Sequence, residues 1–365
     1  GRLGHGAAAG CRTRGRTGGD RGHTRLNHAD TACGATRPDP RGRPVRLHDV
    51  CNGDADGLCA VRQWRLHEPA PATLVTGLKR DIALLRRVTA GPGDEVLVCD
   101  LSMQRNHDAL LALLAAGVRV RYFDHHASGP VPGHPLLEAH LDSASDTCTS
   151  LLMDRHLGGR FHTWALVGAY GDALVAVANR LAVAAGLDAP ERAGLRRLGM
   201  AINYNAYGDD EQDLCIAPAR LYEIMARHAD PFTMLADEPI VATLDEQRRA
   251  DLDLAQALAP SWQNDRARVV VLPDAPWARR VIGSLANVLA QAHPGQAQAV
   301  LARRRGGDFV VSVRAPRHAP HGAGALCTTF GGNGRAAAAG IDALPADDLD
   351  RFVQALATAR WGGTT

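Results

Sequence analysis

Four short segments of the chain carry acidic side chains, alone or beside histidine, in spacings that could hold a hard cation. They are Asn52-Gly53-Asp54-Ala55-Asp56-Gly57, Cys99-Asp100-Leu101-Ser102, Phe123-Asp124-His125-His126 and Tyr170-Gly171-Asp172. Asp54 and Asp56 put two carboxylates near one turn, and Gly57 permits a tight approach into a following helix. Carboxylate oxygens with one or two imidazoles suit manganese, magnesium or a similar ion, whereas a zinc site more often uses cysteine. Any one of these aspartates alone is ordinarily an N-cap or a turn residue. Together they are harder to explain that way, because buried carboxylates repel one another and raise each other's pKa values unless a cation removes the cost.

The segments need a frame that brings them together. From Val45 onward, short apolar runs alternate with amphipathic stretches, the pattern of a mostly parallel sheet covered by helices. Strands are expected near 46–51, 73–76, 95–99 and 118–123, and helices at 57–67, 80–90, 105–116 and 146–157, where apolar residues recur at three- and four-residue spacing. All four acidic segments read as strand ends, and in an open α/β sheet those ends face one crevice. A helical region over 163–235 follows, then a charged stretch from Leu244 to Leu258 that reads as a linker helix. After Asn264 a second unit begins, with strands expected at 268–272, 297–303 and 308–313 and helices near 277–292 and 346–359, and it contains a Gly-rich loop from Gly331 to Gly340. The expected architecture is α/β: an N-terminal doubly wound, mostly parallel sheet and a smaller C-terminal α/β domain, with the active site in the cleft between them.

A length of 365 residues suits two domains, each able to bury a core. The expected boundaries are a disordered Gly/Arg-rich extension over 1–44, a catalytic domain over 45–235, a linker helix over 236–264 and a substrate-binding domain over 265–361. A net charge of +2 gives the whole chain no electrostatic bias toward nucleic acid or membrane, and no apolar run reaches the roughly 18 residues of a membrane span. Cys11, Cys33, Cys51, Cys59, Cys99, Cys148, Cys215 and Cys327 include no close pair at zinc-ligand or redox spacing, which suits buried thiols and a cytoplasmic location. Lys79 is the only lysine within a Lys+Arg total of 41, so arginine and histidine are expected to bind phosphate. Lys79-Arg80-Asp81 could hold an anion at a helix start, with capping and solvation the better expectation.

In order and spacing, the segment from Asn52 to Gly57, then Asp100, then Asp124-His125-His126, then Asp172 resemble the motifs of the DHH phosphoesterases. That family includes the RecJ exonucleases, the nanoRNase oligonucleotide hydrolases and the family II pyrophosphatases, and the resemblance covers about residues 45–360. Gly331-Gly332-Asn333-Gly334-Arg335 with Ala338-Ala339-Gly340 resembles the substrate loop of the family's C-terminal DHH-associated domain, and Ser312-Val313-Arg314 the arginine strand before it. The resemblance implies that Asp100 bridges two metal ions, Mn2+ or else Mg2+ or Co2+, about 3.5–4 Å apart. Asp56, His125 and Asp172 would complete one ion and Asp54 the other, with Asp124 orienting the histidines and His126 facing the substrate phosphate. Asp100, His126 and Asp124 are thus the expected catalytic set, and water the nucleophile. One departure stands out: where the family commonly has a His four residues before the first motif's Asp, or an Asp two before it, this chain has Val50 and Asn52. Asn52 offers a carbonyl oxygen without charge, a weak ligand. His48, at the start of the strand, is a poorer substitute.

Arg314 and Arg335 bring guanidinium forks, and Gly332 and Gly334 allow backbone N–H groups near an anion. The loop from Asn203 to Gly208 could stack a base on Tyr204 or Tyr207, although tyrosines bridging core and surface are ordinary. The expected activity is metal-dependent hydrolysis of phosphodiester bonds in short oligonucleotides or small nucleotides. Pyrophosphate, polyphosphate or a cyclic dinucleotide is the alternative substrate. A non-catalytic nucleotide-binding module is the alternative of another class, favoured by Asn52 and opposed by retention of the other acidic residues. The sequence leaves oligomeric state open, a homodimer included.

Overall fold

The apolar runs pair into a five-stranded sheet, β1 (Leu47–Cys51), β2 (Thr73–Val75), β3 (Glu95–Cys99), β4 (Arg119–Asp124) and β5 (Leu137–Leu141). Its order is β2-β1-β3-β4-β5, and every pairing is parallel. The computed structural model describes residues 43–362, so nearly all of the expected extension over 1–44, with Cys11 and Cys33, lies outside the described residues. Parallel strands require crossovers, and these cover both faces. Helices α1 (Ala55–His67), α3 (Thr149–His156) and α4 (His162–Gly171) bury Leu58, Val61, Met153, Trp164 and Val167 on one face. On the other, α2 (His107–Ala115) packs Leu110 and Leu113 against Val96, Val98 and Val120. The sheet is therefore doubly wound, and fully rather than mostly parallel.

Three expectations need correction. The helix expected over 80–90 is a single 3-10 turn, Leu84–Arg87, because Lys79, Arg80 and Asp81 are drawn into ion pairs and a turn instead. Strand β5 has no counterpart among the expected strands, being a short edge strand that follows a Pro/Gly-rich loop. Asp172 does not end a strand but caps the C-terminus of α4. That helix is apolar on all sides and buried, so its sequence lacks the one-sided stripe of a surface helix.

Helices α5 (Val175–Ala184), α6 (Ala189–Tyr204), α7 (Pro218–Met225) and α8 (Pro231–Asp237) extend the first layer, and α9 (Pro239–Gln256) leads onward. The second sheet comprises β6 (Trp262–Gln263), β7 (Ala267–Leu272), β8 (Ala297–Arg303), β9 (Phe309–Arg314), β10 (Asn333–Gly334) and β11 (Ala338–Leu344). Its order is β10-β11-β9-β8-β7-β6, with only β7 and β8 parallel. Helices α10 (Pro276–Ala292), α11 (Ala323–Thr328) and α12 (Leu349–Thr358) pack on it. The expected Gly-rich loop is thus largely the β10–β11 hairpin.

Each sheet has its own apolar core, and a further cluster joins them: Tyr204 of α6 and Ala255 of α9 pack with Val281, Ile282 and Leu285 of α10. Around it lies a charged clamp. Arg279 grips Asp213 through Nε and Nη2 at 2.8 and 2.9 Å, Arg305 reaches the same carboxylate at 2.9 Å, and Arg80 pairs with Asp209 at 2.8 Å. Asp213 and Arg279 are buried, so breaking either partner would leave an uncompensated charge costing about 3–5 kcal/mol. This fixes the second sheet over the carboxyl edge of the first.

Candidate metal centre

In the order β2-β1-β3, the chain leaves β1 in one direction and resumes at β3 in the other, so a crevice opens beyond the ends of β1 and β3. The acidic residues line it. Asp54 is the N-cap of α1: its Oδ1 accepts from the Asp56 and Gly57 amides at 3.0 and 3.1 Å. A Cβ on Gly57 would come within 2.5 Å of the Asn52 carbonyl oxygen, so only glycine fits this turn. Asp56 is aimed from the first turn of α1 at the start of α3, where the Thr149 and Ser150 amides each donate to it at 2.7 Å. Asp100 follows β3 with φ +58, and Ala173 beside Asp172 has φ +64. Among the described residues these are the two non-glycine positions in the left-handed region, at a cost of about 1–3 kcal/mol each. Asp172 is brought in by close helix packing, since a Cβ on Gly171 would lie 2.3 Å from Ala55 Cβ.

These carboxylates meet around one imidazole nitrogen. His125 Nε2 lies 3.3 Å from Asp100 Oδ1, 3.8 Å from Asp56 Oδ2 and 4.0 Å from Asp172 Oδ2. Ligands about 2.1 Å from an octahedral cation are roughly 3 Å apart along an edge, so a small contraction would close this set on one ion. Burial, and then the charges of Asp54 and Asp56, push the Asp100 carboxyl well above the usual carboxylate range. Burial likewise raises Asp172. Burial opposes protonation of His125, but its hydrogen bond to Asp100 and the charges of Asp100, Asp56 and Asp172 outweigh this and push it up to about 10. A donor set that draws protons this strongly also suits a divalent cation, which would displace them. One hard ion fits these residues.

His126 is differently placed. Its Nδ1 stands 2.7 Å from Asp124 Oδ1, with the ring about half exposed to the crevice, and Asp124 is fully buried with Oδ2 unpartnered. Burial would lower the His126 pKa, but the bond to Asp124 raises it. Asp124 therefore orients His126; no hydrogen bond links it to His125. Glu138, His140 and His156 form another group with ligand atoms within 4.8 Å, but Glu138 is already paired with Arg121 at 2.8 Å.

Asp54 has a further partner. Its Oδ2 accepts from Lys79 Nζ, and Lys79 also reaches Asn203 Oδ1 at 3.4 Å and lies 5.8 Å from the Tyr207 ring centroid. Burial would raise Asp54, but Lys79 and the Gly57 amide carry it below the ordinary carboxylate value. Lys79 is thus tied to Asp54, with its side chain still partly exposed, rather than standing as an anion site at a helix start. Asn52 does not face a ligand position: its Oδ1 accepts from the Asp54 amide at 3.2 Å and its Nδ2 donates to the Lys79 carbonyl at 3.4 Å. A positional signal for Lys79 existed, because β2 pairs parallel with β1 and ends at Val75, placing the next residues at the edge that bears Asp54.

From the second sheet, Arg335 extends across the crevice, with Nη2 3.2 Å from His125 Nδ1 and Nη1 3.5 Å from the Ser145 carbonyl. Arg314 is more enclosed: Nε donates to Asn287 Oδ1 at 2.7 Å and Nη1 to Ser312 Oγ at 2.9 Å. The Gly332 amide donates to the Cys327 carbonyl at 2.9 Å, which leaves Gly334 as the more open glycine. Tyr204 is core, its hydroxyl 2.5 Å from Asp251. Asn205 is equally internal, accepting from the Cys215 and Ile216 amides at 3.1 Å.

A parallel sheet with acidic residues at its switch point, covered by a second mixed sheet that presents arginine, is consistent with the DHH domain fold followed by a smaller C-terminal domain. Two solved structures share it. RecJ from Thermus thermophilus, in complex with Mn2+, superposes with a TM-score of 0.53 at 20% identity over 85% of this chain and 51% of its own. The pGpG-specific phosphodiesterase PggH from Vibrio cholerae superposes with a TM-score of 0.52 at 16% identity over 86% of this chain and 98% of its own. The chain thus spans about half the length of the RecJ chain. No protein-family model and no curated protein matches the sequence. No helix among the described residues is long and apolar enough to cross a membrane.

Proposed function

We propose that this chain is a divalent-cation-dependent phosphoesterase that hydrolyses phosphodiester bonds in short oligonucleotides, dinucleotides included. The observation that carries the reading is the convergence of Asp56, Asp100 and Asp172 on His125 Nε2, with Arg335 facing them from the other sheet. Mn2+, Mg2+ or Co2+ would be held by those four residues and would supply a Lewis acid for the phosphoryl group and a lowered pKa for attacking water. Asp124 holds His126 by Nδ1, leaving Nε2 to bind a phosphate oxygen or protonate the leaving oxygen. Arg335, with Gly334 beside it, grips a neighbouring phosphate of the substrate, and Arg314 lines the same sheet more deeply.

Short substrates are favoured because a long strand needs a basic track and a row of stacking aromatics. Among the described residues, Arg335 and the ring of Tyr207 stand beside the centre, while Tyr204 is buried. The similar length and fold of PggH, whose name specifies a dinucleotide substrate, supports the same size class. The test is a turnover screen of chelator-stripped protein with and without Mn2+, on a dinucleotide, a pentanucleotide, a long single strand, a cyclic dinucleotide and pyrophosphate. Fastest Mn2+-dependent cleavage of the first two is expected. Preference for the long strand would overturn the size class, and preference for pyrophosphate the bond type.

A further inference from the structure

We propose that Lys79 is a built-in cation that takes the place of a second metal ion, so that the centre binds one divalent ion per chain. The inference concerns the same site as the proposed function and rests on its metal-binding reading. Both oxygens of Asp54 are committed, Oδ1 to the Asp56 and Gly57 amides and Oδ2 to the Lys79 ammonium. An ion at Asp54 would have to displace that ammonium or stand beside it. A dication beside both groups would be repelled by the ammonium about as strongly as it is attracted by the carboxylate, so the gain from the carboxylate is cancelled.

The rest of the surroundings agree. Asn52 stands where a charged ligand would be needed, and it is turned away from ligation, bonded to the Asp54 amide and to the carbonyl of Lys79 itself. It is a brace for the lysine. Asn203 accepts a further bond from the ammonium at 3.4 Å and Tyr207 offers its ring at 5.8 Å, neither of which is a hard anionic metal donor. At the other position, Asp56, Asp100 and Asp172 converge on His125, and among the described residues none of the three carboxylates is ion-paired with a lysine or arginine. The two halves of the centre therefore differ: one is a donor set for a dication, the other a carboxylate already neutralised. Lysine is also the fitting residue here, since its compact, flexibly tethered ammonium can mimic a point charge where a guanidinium fork cannot. It is the only lysine in the sequence.

The test is Mn2+ stoichiometry of the full chain, by electron paramagnetic resonance titration and by metal analysis after desalting. The wild type should bind one Mn2+ per chain with the six-line signal of an isolated ion. Asn52→Asp/Lys79→Met, which restores a charged ligand and removes the ammonium, should bind two, with the signal broadened by spin coupling. Two coupled ions in the wild type would overturn the proposal, as would no binding at all, and the wild-type result decides even if the double variant fails to fold. A folded double variant that still binds a single ion would also contradict it. Hydrolysis measured alongside separates the two readings. One ion without turnover on any phosphodiester would defeat the proposed function and leave this inference standing, whereas turnover with two coupled ions would do the reverse.

Discussion

Arg335 Nη2 stands 3.2 Å from His125 Nδ1, joining the two sheets over the candidate metal centre. A guanidinium can only donate, and a His125 ring bound to a cation through Nε2 would keep its proton on Nδ1, so in the loaded centre the contact would be donor against donor. A phosphate entering the crevice offers Arg335 a better partner.

Arg335→Ala should therefore raise the Michaelis constant for a dinucleotide by about 10- to 100-fold, the loss of one charge-assisted contact. A minimal chromogenic phosphodiester that does not reach the second sheet should be affected far less. Steady-state kinetics on both substrates checks this; equal losses would assign Arg335 to the fold or the chemistry.

Gly171→Ala tests how Asp172 is positioned. The new Cβ would lie 2.3 Å from Ala55 Cβ and 2.9 Å from the Gly199 carbonyl oxygen, so α4 must move away from α1. Destabilisation of about 1–3 kcal/mol in urea is expected, together with weaker Mn2+ binding in calorimetry. An unchanged metal affinity would mean that Asp172 lies outside the coordination sphere.

Asn52→Asp alone should not improve the centre. The carboxylate loses the donor that holds the Lys79 carbonyl and cannot pair with it. A lower denaturation midpoint, by about 1–3 kcal/mol, is expected. Higher stability would show that the brace to the Lys79 loop is unimportant.

Asp94 makes a pH-dependent contribution far from the crevice. Burial opposes its ionisation, but the guanidinium of Arg46 and the amides of Gly91 and Arg46 hold its pKa at about 2. Its unfolded value is about 3.9, so its stabilisation is complete above that pH and is lost as pH falls through about 2. Asp94→Asn should cost roughly 1–3 kcal/mol at pH 7, and the difference from wild type should shrink between pH 4 and pH 2. A pH-independent difference in denaturant midpoints would contradict this.

Much of this arrangement is legible in the sequence. Apolar runs flanked by turns locate β1, β3 and β4, and the acidic residues just beyond them point to a shared crevice because parallel strands end on one side. Asp172 stands out as a site residue and reads both as a strand end and as part of the helical region over 163–235, and the helical reading is the one the structure bears out. Asn52 is visible as a departure, whereas its partner is not. Lys79 lies 25 positions from Asp54, and only the β1–β2 pairing makes them neighbours. Orientation is the least legible level: that Asp124 serves His126 and that the Gly332 amide turns inward depend on side-chain and loop packing which periodicity does not encode.

The ion held by Asp56, Asp100, His125 and Asp172 is proposed to carry the hydrolysis. Asp100 is the residue closest to His125 Nε2 among the three carboxylates, and burial, then the charges of Asp54 and Asp56, push its carboxyl well above the usual carboxylate range. The direct measurement is Mn2+-dependent turnover of a dinucleotide by Asp100→Asn, with thermal unfolding followed on the same preparation. Removing a clustered negative charge should leave the fold intact or slightly more stable. Loss of a central ligand should lower turnover by at least about 1,000-fold, or roughly 4 kcal/mol of transition-state stabilisation. A folded variant with turnover within about tenfold of wild type would contradict the account.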